Sequence, residues 1–126
     1  MDQRAGYVDL PDRDRVLVKP VAHFAPVLKL SELPKGSMRA CTVGERELVI
    51  CHARAGLFAL GNICTHAEAR LCEGRLRATY LVCPLHGAAF DLRDGRVLAP
   101  PAVQPLTTHA LRVVEGVIEV ALSEVD

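Results

Sequence analysis

Between residues 39 and 122, short runs rich in Val, Ile and Leu alternate with turn residues, and no stretch repeats its apolar positions at the period a helix needs to bury one face. The runs are Arg39–Val43, Leu48–His52, Leu57–Gly61, Tyr80–Val82, Leu111–Val114 and Val117–Leu122. Gly44-Glu45, Ala55-Gly56, Asp94-Gly95 and Glu115-Gly116 lie between runs, where glycine supplies the positive φ of a tight hairpin. This pattern predicts an all-β domain, a sandwich or barrel built as a meander. With 126 residues, half of them apolar, the chain can fill one core and is too short for two ordinary domains. Segments 63–79 and 83–88 fit neither strand nor helix, and long loops in a small domain usually carry function. Residues 1–26 read as an N-terminal extension broken by Pro11, Pro20 and Pro26, with one edge strand conceivable at Val16–Val18, and residues 123–126 as a short tail.

Lys plus Arg and Asp plus Glu each number 15, so the formal net charge is zero. A neutral chain has no long-range field to gather nucleic acid or anionic lipid. No segment approaches the roughly 20 apolar residues of a membrane helix, and Met1–Asp14 mixes charges with small residues where a secretion signal is continuously apolar. A cytoplasmic location, with neither membrane nor nucleic acid as partner, is the expectation. The five cysteines, Cys41, Cys51, Cys64, Cys72 and Cys83, are an odd number in such a chain. That favours metal binding or buried thiols over a disulfide framework.

Both unassigned loops hold a Cys followed closely by a His: Cys64-Thr65-His66 and Cys83-Pro84-Leu85-His86, with 16 residues between His66 and Cys83. Thiolates and imidazoles meeting at one point suit zinc or an iron–sulfur cluster, whereas calcium and magnesium want oxygen ligands. Structural zinc sites usually pair Cys with Cys and His with His along the chain, and here the two types are interleaved. In a Rieske centre two Cys bind one iron and two His the other, so a mixed loop on either side of the cluster is a natural clamp. Zinc and [2Fe–2S] both stay open at this point.

The two motifs, Cys64-Thr65-His66 and Cys83-Pro84-Leu85-His86-Gly87, resemble the cluster-binding loops of Rieske ferredoxins from bacterial aromatic-ring dioxygenase systems. The resemblance spans about residues 27–122: Leu30-Ser31-Glu32-Leu33-Pro34-Lys35-Gly36 is similar to the family's opening, Phe90-Asp91-Leu92-Arg93-Asp94-Gly95 to the hairpin after the second loop, and Pro100-Pro101-Ala102 with Pro105-Leu106 to the proline loop beside the cluster. It implies an antiparallel β-sandwich carrying a cluster-binding subdomain of two loops. Cys64 and Cys83 would hold the inner iron of a [2Fe–2S] cluster, His66 and His86 the outer, surface-facing one. The implied partners are an NAD(P)H-dependent flavoprotein ferredoxin reductase and a terminal oxygenase, and the implied role is one-electron carriage without catalysis. The alternatives are a Rieske-like small subunit of another redox enzyme, such as a nitrite reductase, and a zinc-stabilised interaction module.

High-potential members of the family add a disulfide-forming Cys to each loop, where this chain has Ala69 and Leu85, and place hydroxyl donors where it has Ala88 and Phe90. Their absence implies a potential toward the lower part of the Rieske range of about −150 to +300 mV. A Rieske oxygenase would also need a mononuclear iron site of two His and a carboxylate, yet His109 is the one His after His86. No G-x-S-x-G, G-x-G-x-x-G or P-loop pattern appears. Cys41 and Cys51 read as small core residues, and Cys72 as a packing residue near the first loop. His23, His52 and His109 have no ligand-like spacing, while Glu68, Arg70, Glu73, Arg75 and Arg77 form a charged loop face with the capacity to be a docking rim.

Overall fold

A computed structural model describes residues 23–123. Ten strands form two antiparallel sheets: β1 (Ala25–Lys29), β2 (Met38–Val43), β3 (Arg46–Ala53), β4 (Gly56–Gly61), β5 (Arg75–Leu76), β6 (Tyr80–Val82), β7 (Ala89–Asp91), β8 (Val97–Ala99), β9 (Thr108–Val114) and β10 (Val117–Ala121). The larger sheet runs β1-β10-β9-β4-β3-β2 and the smaller β5-β6-β7-β8. The smaller sheet is thus an insertion between β4 and β9, two strands that pair through Ala59 with His109 and Leu60 with Thr108.

Tight turns set the registers. Val43 pairs with Arg46 across Gly44-Glu45, and Val114 with Val117 across Glu115-Gly116. Glu115 (φ 50°) and Gly116 (φ 80°) both take the left-handed conformation that lets a two-residue hairpin follow the strand twist.

β3 shows how alternation divides the interior. Leu48 and Ile50 point into one core with Leu28, Leu33, Ala59, Ile118 and Val120. Val49, Cys51 and Ala53 point into the other, with Leu60, Leu71, Leu81, Phe90 and Leu106. A side-chain period of two places successive residues on opposite faces, and here both faces are covered. Cys64 and Cys83 belong to the second core, which joins the small sheet to the large one.

Three sequence expectations change. The ordered domain begins before residue 27: Ala25 and Pro26 lie in β1, opposite Val120 and Glu119. Proline is tolerated there because β1 is an edge strand, and the register shifts immediately after it. Segment 63–79 is not all loop, since it contains β5, a 3-10 turn at Leu71–Glu73 and an antiparallel bridge between Ile63 and Arg70. β7 and β8 also escaped the strand pattern, appearing only through the family hairpin. The Val16–Val18 strand, residues 1–22 of the extension and the tail residues 124–126 lie outside the described residues.

Candidate metal centre

The first loop leaves β4 at Asn62, a fully buried polar residue. Its amide nitrogen donates to Glu47 Oε2 at 2.7 Å, and its Oδ1 accepts from the Cys72 N–H at 2.8 Å. The Leu71 N–H donates to the Asn62 carbonyl at 2.7 Å, and Arg70 Nε reaches the same Glu47 oxygen at 2.8 Å. Both ends of the loop are therefore tied to one side chain. Within it the Cys64 N–H donates to the Ala69 carbonyl at 2.8 Å, closing the turn that presents His66. Thr65 Oγ1 donates to the Gln104 carbonyl at 2.7 Å, which fastens the loop tip to the proline loop.

The second loop is the tip of a hairpin, because Val82 and Ala89 pair on either side of it. The Cys83 N–H donates to the Ala88 carbonyl at 2.7 Å, and the Leu85 N–H points at Cys83 Sγ at 3.4 Å. His86 (φ 63°) and Gly87 (φ 74°) both lie in the left-handed region. For Gly87 that is cheap; for His86 it is the kind of local strain that accumulates at functional sites.

These loops bring the four sequence-selected residues together. Cys64 and Cys83 are buried at 4% and 2% exposure, His66 is half-buried and His86 exposed. The donor atoms of Cys64, His66 and Cys83 all lie within 4.8 Å of one another. Cys64 Sγ is 2.8 Å from His66 Nδ1, and His86 Nδ1 is 3.5 Å from His66 Nε2, with the two rings edge to face at a centroid distance of 5.7 Å. Burial pushes the Cys83 thiol up, the Leu85 N–H pulls it back, and the adjacent Cys64 raises it again. Two thiols in an apolar interior with the half-buried His66 imidazole among them and the exposed His86 ring beside it, and no carboxylate in the group, are a soft donor set that fits an iron–sulfur cluster.

The remaining candidates fall elsewhere. Cys51 is fully buried, and desolvation pushes its thiol up to about 12. Cys41 packs against the first core, and Cys72 against the second with its sulfur 3.5 Å from the Asn62 amide nitrogen. His52 Nδ1 sits 2.8 Å from the Leu33 carbonyl, His109 Nδ1 accepts the Ser123 N–H at 2.9 Å, and His23 is exposed at the start of the described chain. Sequence reasoning passed over Asn62 and Glu47. A lone Asn directly before a Cys/His loop was the available signal, but its partner lies 15 residues away on another strand.

The model of the Rieske [2Fe-2S] domain family matches residues 23–111. The chain belongs to that family. This Rieske chain is 34% identical over 84 residues to the ferredoxin component of the naphthalene 1,2-dioxygenase system of Pseudomonas aeruginosa, a match covering 67% of this chain and 81% of the relative. It superposes on the ferredoxin of carbazole 1,9a-dioxygenase from Nocardioides aromaticivorans IC177 with a TM-score of 0.76 and 32% identity, covering 81% of this chain and all of that one. A ferredoxin in complex with the oxygenase of carbazole 1,9a-dioxygenase gives 0.73 and 31%, covering 78% and 92%. Family membership makes the cofactor a [2Fe–2S] cluster and retires the zinc module. The relatives are electron-transfer components of multicomponent oxygenases, and this Rieske chain is likewise an electron carrier and not a catalyst. Among the described residues no helix is long and apolar enough to cross a membrane.

Proposed function

We propose that the chain passes single electrons from an NAD(P)H-dependent flavoprotein reductase to a Rieske non-haem iron oxygenase, with Cys64, Cys83, His66 and His86 as the ligands of its cluster. The observation that carries this reading is the layering of the site: thiols at 4% and 2% exposure below, a half-buried His66 and an exposed His86 above. When bound, the cluster takes up and releases one electron at a time. Cys64 and Cys83, buried in the second core, would hold it as thiolates on a side shielded from water. His66 and His86, nearer the surface, would hold it on the side open to partners, where the path to an incoming redox centre is short. Two ferric ions, two sulfides and two thiolates sum to zero charge, so neutral imidazoles let an electron enter more easily than a four-thiolate shell does. Dependence on reduced nicotinamide nucleotide puts the working location in the cytoplasm.

Anaerobic purification, a visible spectrum before and after dithionite, and low-temperature EPR of the reduced protein test the reading. A red-brown protein that bleaches and gives an average g below that of all-cysteine clusters is expected. Cys64→Ser should lose the spectrum and Cys72→Ser retain it. A colourless protein with stoichiometric zinc, or loss of colour in the Cys72 variant alone, would overturn the assignment.

A further inference from the structure

Two open grooves meet on the flank leading to the second loop. One, of about 550 Å³, is lined by Lys35, Arg54, Leu76 and Arg77; the other, of about 580 Å³, shares Arg77 and runs past Arg75 and Tyr80 to Pro84 and Gly87. Backbone bonds between turns build this flank. The Gly36 N–H donates to the His52 carbonyl at 2.6 Å, Ala55 to Ala78 at 3.1 Å, and Arg77 to Tyr80 at 2.8 Å. Lys35, Arg54 and Arg77 are therefore gathered by main-chain geometry, whatever their rotamers.

The charge is not neutralised. Among the described residues Arg70, Arg93, Arg96 and Arg112 each have a carboxylate partner. No ion pair joins Lys35, Arg54, Arg75 or Arg77 to any described carboxylate, and Glu73 is the one acid among the residues lining the grooves. In a chain of zero formal charge, four exposed cations along two adjoining grooves are a local surplus. Because Arg77 belongs to both grooves, the cations follow one another from Lys35 and Arg54 through Arg77 to Arg75. A phosphate wants donors around one point, whereas serial cations along an edge strand match serial carboxylates on an extended segment. β5, which supplies Arg75, is such an edge.

We propose that this groove receives a carboxylate-rich, extended segment of a redox-partner protein and aligns that partner beside the second loop. The proposal rests on the electron-carrier reading. Its effect is mainly on association, because exposed charges steer encounter and are screened by salt.

The test uses the purified full chain with its cluster and a fluorescein-labelled oligoglutamate peptide, followed by anisotropy. Binding should weaken as salt rises from about 20 to 200 mM. Arg77→Glu and Lys35→Glu, each with an unchanged visible spectrum, should weaken it by about tenfold. Arg39→Glu, the same charge change on β2 outside the groove, should alter it by less than about twofold. Equal losses in all three variants would show that only net charge matters and would overturn the proposal, as would no binding at low salt. Displacement by pyrophosphate at far lower concentration than by glutarate would also overturn it, making the groove a phosphate site. A chain that purifies without a Rieske spectrum sinks the electron-carrier reading instead, and the peptide then decides the groove independently.

Discussion

Asp91 is 3% exposed and survives as a carboxylate because arginines surround it. It accepts the Arg93 backbone N–H at 2.9 Å, Arg93 Nε at 3.2 Å and Nη2 at 3.0 Å, with Arg96 Nη2 at 3.5 Å. The Arg93 side chain, then its backbone N–H, hold the pKa down to about 2 from 3.8. A depressed folded-state pKa means the stabilisation is complete above 3.8 and disappears as pH falls through about 2. Asp91→Asn is expected to cost roughly 1.5–3 kcal/mol at neutral pH, the worth of hydrogen bonds to a charged group. The melting-temperature gap to the parent should shrink as pH falls from 3.8 through about 2, and a gap that is undiminished at pH 2 would refute the assignment. At this scale legibility followed sequence distance. Cys64 with His66 and Cys83 with His86 could be read because each pair sits within four residues, whereas the Asn62–Glu47 anchor spans 15 and exists only once β3 and β4 have paired.

Among the elements, the strands with clean boundaries were legible and those buried on both sides of a short span were not. β7 is Ala89-Phe90-Asp91, buried at all three positions, and carries a charged residue, so neither alternation nor an apolar run marks it. β1 contains Pro26, which reads as a breaker unless the strand is known to be an edge. Two glycines show how tightly the small sheet is fitted to its neighbours. A Cβ at Gly74 would collide with the Val82 carbonyl oxygen and stand 3.1 Å from Pro84 Cδ, so the chain entering β5 packs directly on the base of the second loop. Gly74→Ala should therefore destabilise by roughly 1–3 kcal/mol, as overpacking does. It should also speed loss of visible absorbance under chelator, because the displaced backbone supports Cys83. Gly95 takes φ 77°, its carbonyl accepts the Leu106 N–H at 2.9 Å, and a Cβ there would strike the Leu106 carbonyl oxygen. Gly95→Ala combines left-handed strain with that clash and is expected to cost roughly 2–4 kcal/mol in chemical denaturation. An unchanged midpoint in either variant would mean these segments are looser than their contacts imply.

For the molecule as a whole, the function reduces to the potential at which the electron is held, and the second core sets part of it. Ala88 and Phe90 are both fully buried in the core that contains Cys64 and Cys83, and neither offers a hydrogen-bond donor from its side chain. The Leu85 N–H, 3.4 Å from Cys83 Sγ, supplies one backbone donor to that sulfur. Reduction adds negative charge to the site, so donors aimed at sulfur stabilise the reduced form more than the oxidised one and raise the potential. With no side-chain hydroxyl at Ala88 or Phe90 to add to the Leu85 N–H, a midpoint toward the lower part of the Rieske range of about −150 to +300 mV is expected. One net hydrogen bond is worth about 1 kcal/mol, and for a one-electron couple that corresponds to roughly 40 mV. Ala88→Ser combined with Phe90→Tyr should then shift the midpoint upward by about 80 mV if both hydroxyls reach sulfur, and by about half that if one does. Protein-film voltammetry on the two single variants and the double variant would separate these cases. No shift, or a downward one, with the Rieske EPR signal intact would show that this part of the core does not set the potential.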